Sequence, residues 1–237
     1  MNIQTFGDQA IILQFSSEID PEAHQQVIAY LKHLQEKAVS GINYLIPAYG
    51  SLTIGYNPER ISFEALTALL EGYQHNVDKT EPFAGTRRWK IPVCYDPPFA
   101  PDLEQVAAHT GLTVEEIINQ HSKTRYRVYM IGFLPGFPYL GILPKSLATP
   151  RRKSPRLHVQ AGSVGIAQRQ TGIYPNEAPG GWQIIGRTPI PMYTRTDQSF
   201  LLQAGDEVQF ECITGEEFNY WSARVGSEDF SLSELHG

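Results

Sequence analysis

The chain has 237 residues, 41% of them apolar, and 19 basic against 25 acidic side chains give it a formal charge of −6. That length and apolar content suit a buried core in one large domain or two modest ones, and they exclude a wholly disordered chain. The acidic balance argues against a nucleic-acid-binding surface, Cys94 and Cys212 are too few for a disulfide framework or a CxxC zinc site, and no apolar run approaches the ~18 residues of a membrane span.

The first residues show no basic region followed by an apolar run, so the chain reads as soluble and cytoplasmic. Residues 9–15, QAIILQF, read as a strand. In DPEAHQQVIAYLKHLQEKA, Asp20 suits an N-cap and Pro21 the first helical position. Ala23, Val27, Leu31, Leu34 and Ala38 fall at helical spacing and give that helix one buried face. INYLIPAY and LTIGY flank Gly50-Ser51 as two paired strands with a tight turn. A second helix is expected over about residues 62–75, capped by Ser62, with Phe63, Leu66, Leu70 and Tyr73 inward. This β-α-β-β-α order is that of a split βαβ unit, assigned to residues 1–80, with the polar stretch DKTEPFAGTRR as linker.

Residues 81–237 are read as a second domain. WKIPVCY is a strand, and two short helices follow, the first capped by Asp102 and ended by Gly111. Thr113 and Glu116 fit a capping box for the second. After residue 124 the helical signal stops. RYRVYM, GSVGIAQ, GWQIIGR and EVQFECI are short alternating or apolar segments between glycines, prolines and acids, the pattern of a β-sandwich or barrel. The fold class is therefore α+β.

One stretch resists both regular structures. IGFLPGFPYLGILP, residues 131–144, holds prolines that break a helix and are poorly placed in a central strand. Such a rigid apolar loop suits a cleft wall or an interface, with Phe133 and Leu134 expected inside and Phe137 and Tyr139 outward.

The chain carries no P-loop, no strand-linked GxGxxG, no HExxH and no EF-hand pattern. AGSVG at 161–165 approaches a nucleophile elbow, but Ala161 replaces the first glycine and strand follows Gly165, so Ser163 reads as structural. Lys145, Arg151, Arg152, Lys153, Arg156 and His158 form a cationic run stiffened by Pro150 and Pro155. The fork of arginine matches carboxylate or phosphate, which makes this run a candidate anion site. In RQTGIYPNEAPGGWQIIGRTP the glycines allow close backbone approach, and Gln170, Tyr174 and Arg187 are candidate pocket-lining groups. His121, at a helix end, has the ordinary pKa of a general acid or base, although a histidine there also complements the helix dipole.

IGFLPGFPYLGILP, PRRKSPRLHVQAGSVGIA and QTGIYPNEAPGGWQIIGRTP together resemble the family of the B subunit of bacterial ATP-dependent 5-oxoprolinase. That family also holds the kinase inhibitor KipI and proteins labelled allophanate hydrolase subunit 1. The resemblance implies a small N-terminal α+β domain followed by a cyclophilin-like antiparallel β-barrel. It implies a chain inactive alone, acting with A and C subunits, with ATP as co-substrate of the complex; no metal site is visible in the sequence. Such a reaction needs cations for phosphoryl oxygens and the substrate carboxylate, and the candidate residues are His121, Arg151, Arg152 and His158 for catalysis, Arg156, Gln170, Tyr174 and Arg187 for substrate or anion, and Phe137 and Tyr139 for the cleft wall or interface. A KipI-like inhibitor of a histidine kinase is the alternative, and a urea or allophanate carboxyltransferase-like module a lower one.

Overall fold

The computed structural model describes residues 1–77, 86–194, 199–227 and 230–236. The chain divides into two compact units, Met1–Gly85 and Thr86–Gly237. The stretch expected as a linker lies mostly outside the described residues, and its final residue, Arg88, already belongs to a strand.

The first unit contains strands β1 (Asn2–Thr5), β2 (Ala10–Gln14), β3 (Ile42–Pro47) and β4 (Ser51–Tyr56), with helices α1 (Pro21–Lys37) and α2 (Phe63–Val77). Its sheet runs β1-β2-β4-β3 with every pairing antiparallel. β4 therefore sits between the two strands joined by α1, which is the split βαβ arrangement. Asp20 caps α1 by accepting from the backbone N–H of Glu22 at 2.9 Å. Ala38, expected on the buried face, is instead the exposed C-cap, at φ 45° in the left-handed region, because the helix has already ended. Ile11, Leu13, Leu52 and Ile54 of the sheet and Val27, Leu66 and Leu70 of the helices are fully buried, each contributing roughly 1.5–3 kcal/mol of hydrophobic transfer. The Tyr30 hydroxyl donates to the carbonyl of Leu70 at 3.2 Å and so ties α1 to α2. Strand β1 is not legible in the sequence, since NIQT is short and polar and pairs only along the sheet edge.

The second unit is built from β5 (Arg88–Cys94), α3 (Leu103–Thr110), α4 (Val114–Lys123), β6 (Arg125–Ile131), β7 (Pro138–Gly141), β8 (Arg156–Val159), β9 (Ser163–Ala167), β10 (Gln170–Ile173), β11 (Ala178–Gly180), β12 (Gln183–Arg187), β13 (Tyr193–Thr194), β14 (Ser199–Phe200), β15 (Glu207–Ile213) and α5 (Gly215–Val225). Seven strands close a barrel in the order β10-β7-β6-β15-β5-β12-β9, with β9 meeting β10. The barrel is antiparallel except where β5 and β15, the first and last strands of the unit, run side by side in parallel. Alternation sets the inside: Trp89, Ile91 and Val93 join the core with Val128, Leu140, Val164, Ile173 and Val208, while Arg88 and Lys90 face out.

Two departures from the sequence reading have local causes. PYLG of the apolar loop forms β7, an inner barrel strand between β10 and β6. Its proline is tolerated because Pro138 opens the strand and a bulge between Val128 and Met130 absorbs the misfit. Helix α5 lies in the region beyond residue 124, where only strands are expected. Thr214 and Glu217 form its capping box, with Glu217 N to Thr214 Oγ1 at 3.2 Å and Thr214 N to Glu217 Oε2 at 2.8 Å.

Candidate functional site

Asp102 precedes α3, where the sequence suggests a cap, but its side chain makes no capping bond. The buried carboxylate instead accepts from Arg152 Nη1 at 2.7 Å, Arg156 Nη1 and Nη2 at 2.7 and 2.6 Å, and the backbone N–H of Ile184 at 2.7 Å. One acid thus clasps three segments: the chain leading into β8, β8 itself and β12. Charge-assisted bonds of this length are strong, and the fork of Arg156 is engaged at both ends. Two of the cations read from the sequence as anion ligands are therefore held by an internal carboxylate, which leaves the triad with a single net positive charge.

β8 and β11 pair as a two-stranded ribbon, Val159 opposite Ala178 and Arg156 opposite Gly180. Residues of this ribbon contribute to two clefts, each of about 250 Å³.

The first cleft is aromatic. Phe137 is its buried centre and meets Tyr174 at 5.2 Å, Trp182 at 5.5 Å and Phe133 at 5.6 Å, all edge to face. The two phenylalanines exchange their expected sides, Phe137 being 1% exposed and Phe133 60% exposed, while Leu134, expected inside, is only half-buried. The reason is Gly172, whose missing Cβ would stand 2.8 Å from the carbonyl oxygen of Pro138 and 2.9 Å from Cζ of Phe137, so the Phe137 ring settles against bare backbone. Gly180 makes the same concession to the Tyr174 hydroxyl. Tyr139 is half-buried in the wall. Burial raises the pKa of the Tyr139 and Tyr174 phenols, and for each the nearby charge of Arg151 works against that rise. Arg151 lines the cleft from an exposed position and makes no ion pair among the described residues.

The second cleft is polar, lined by Arg156, His158, Gln160, Ser163 and Arg187 against Pro98, Phe99 and Pro101. Arg187 donates from Nε to the carbonyl of Ala161 at 2.9 Å and from Nη1 to Gln160 Oε1 at 2.6 Å. His158 Nδ1 lies 2.9 Å from Glu177 Oε1, with both side chains exposed.

His121 lines neither cleft. It is fully buried, stacked on Phe210 with ring centroids 4.7 Å apart. Thr171 spends its hydroxyl hydrogen on the carbonyl of Gly165 at 3.0 Å, so its oxygen accepts from His121 Nε2 at 3.0 Å, and Nδ1 accepts from the Tyr95 hydroxyl at 2.7 Å. Burial lowers the pKa of His121 to about 3, which keeps the ring neutral. Gln170 opens β10, half-buried, and belongs to neither cleft.

The model of the carboxyltransferase domain, subdomain C and D, matches residues 1–202. The B subunit of 5-oxoprolinase from Bacillus subtilis is 40% identical over 229 residues, 92% of this chain and 95% of that protein. The chain belongs to this family. The solved structure of TTHA0988 is 36% identical with a TM-score of 0.78; the match covers 87% of this chain and 40% of that one. The Kluyveromyces lactis urea carboxylase, 19% identical with a TM-score of 0.72 over 92% of this chain and 22% of that one, shares the fold.

Sequence reasoning missed Asp102, Phe133 and Trp182 as parts of the two clefts and their clasp. Trp182 had a signal, a lone tryptophan behind paired glycines. Asp102 had none, because an acid before a helix looks the same whether it caps the helix or reaches arginines 50 and 54 residues away. Among the described residues no group of three or more His, Cys, Asp and Glu is placed to hold a metal, and no helix is long and apolar enough to cross a membrane.

Proposed function

We propose that this chain is a non-autonomous subunit of an ATP-dependent 5-oxoprolinase, acting with A and C partner subunits to convert 5-oxo-L-proline, ATP and water to L-glutamate, ADP and phosphate. The observation that supports it is the aromatic cleft with Arg151 beside it. The substrate is a small, nearly flat lactam with one carboxylate. Its ring suits the apolar lining that Phe133, Tyr174 and Trp182 contribute to, and its carboxylate suits the bidentate fork of Arg151. A lactam is a stable amide, so the γ-phosphoryl group of ATP is transferred to its carbonyl oxygen. Water adds to the activated carbon, the C–N bond breaks with the amine leaving, and a second water releases phosphate from the resulting acyl phosphate. The nucleotide belongs to the complex, bound by a partner or shared with one, and an ATP-consuming reaction suits the cytoplasm.

The test is ATP-dependent glutamate release from 5-oxoproline by the reconstituted complex, by this chain alone, and by the partners without it. Release only when all are present supports the reading. An unchanged rate without this chain, or robust turnover by it alone, sinks it.

A further inference from the structure

We propose that the polar cleft beside the β8–β11 ribbon is a phosphate-binding site with Arg187 as its principal ligand. It is a separate cleft from the lactam site, and the inference stands or falls independently of that reading.

The lining of this cleft contains two arginines and a histidine; Asp102 pairs with Arg156 and Glu177 with His158, which leaves Arg187 as its unpaired cation among the described residues. Arg187 is held in place rather than neutralised. Two of its five N–H donors go to the uncharged oxygens of Ala161 and Gln160, and it makes no ion pair among the described residues. Its guanidinium also sits over the Phe218 ring, 5.9 Å from the centroid. Both hydrogens of Nη2 and one of Nη1 remain for a ligand. The turn that positions its anchors depends on Gly162, at φ +79°, where a Cβ would collide with the carbonyl oxygen of Thr188.

Two further groups converge on the same space. Arg156 lines the wall with its fork taken up by Asp102. Ser163, buried at the start of β9, adds a hydroxyl with no hydrogen-bond partner among the described residues. An arginine fork and a hydroxyl donor match an oxyanion. Phosphate offers more acceptor oxygens than a monocarboxylate to engage the fork and the hydroxyl together. The cavity is ample for a phosphate group and small for a whole nucleotide.

The experiment titrates inorganic phosphate into the full chain, followed by calorimetry and ³¹P line width, with acetate as the second arm. The variants are R187Q, S163A and, in the other cleft, R151Q; near-ultraviolet circular dichroism checks each fold. The expected result is saturable single-site phosphate binding, weakened roughly tenfold or more by R187Q, the loss of one charge-assisted contact, and unchanged in R151Q. Acetate should bind more weakly than phosphate. If R187Q does not fold, S163A carries the test and should weaken phosphate severalfold with the fold intact. Absence of saturable binding, wild-type affinity in folded R187Q and S163A, or acetate binding as tightly as phosphate overturns the proposal.

Discussion

Replacing Asp102 with alanine tests whether its carboxylate holds the ribbon and β12 together. The change deletes the acceptor for four hydrogen bonds, three from guanidinium groups and one from the Ile184 N–H. Breaking a buried ion pair by removing one partner costs about 3–5 kcal/mol, because the other charge is stranded. Here the arginine side chains are 27% and 25% exposed, so water recovers part of their hydration and the lower end, about 3 kcal/mol, applies. For a unit of this size each kcal/mol moves the melting temperature by roughly 2–4 °C, so a fall of roughly 6–12 °C is expected. Thermal melts followed by near-ultraviolet circular dichroism, with urea unfolding alongside, measure it. D102N keeps an acceptor for Ile184 and loses both ion pairs, so it should fall between wild type and D102A. R151A, an exposed cation without an ion pair, should stay within about 0.5 kcal/mol of wild type. If D102A melts within about 2 °C of wild type, the clasp reasoning is wrong.

Three further outcomes are expected. R151A in the reconstituted complex should raise KM for 5-oxoproline about tenfold or more with a smaller effect on kcat, and steady-state kinetics showing unchanged KM would remove Arg151 from the substrate cleft. F137A should cost about 3–5 kcal/mol in urea unfolding because its ring is the core of the aromatic cluster, whereas F133A should stay within about 1 kcal/mol; equal costs would contradict the burial of the loop. Because the pKa of His121 falls from 6.5 to about 3 on folding, the unfolded chain binds more protons between those values, so stability is full above pH 6.5 and drops as pH falls through that window. The loss should be about 2 kcal/mol near pH 5, and H121Q should remove that part of the pH dependence; an identical acid slope in the variant would show that the ring does not titrate on unfolding.

The sequence by itself determined the elements whose cause is local. Asp20 with Pro21, and Thr113 with Glu116, announce helices α1 and α4 because a cap needs partners only two or three residues away. Alternating residues in WKIPVCY and EVQFECI announce strands because the inside of a barrel is sampled at every second position. Thr214 and Glu217 carry the same local notice of α5, obscured by the strand signals around them. Only the tertiary structure decided the clefts. Arg151, Arg152 and Arg156 are equivalent on paper, all cations in one proline-stiffened run. A carboxylate from before α3 claims Arg152 and Arg156 and leaves Arg151 without an ion pair among the described residues. The sides of the apolar loop were likewise undecidable locally, since Phe133 and Phe137 have the same chemistry. Gly172, across the barrel ladder from Tyr139, makes room for the Phe137 ring. His121 shows the same limit, because its neighbours in sequence do not reveal that Tyr95 and Thr171 close both ring nitrogens. Capping and alternation act over a few residues and are written in order along the chain. Burial and charge pairing depend on which distant segments meet, and that is fixed only when the barrel closes.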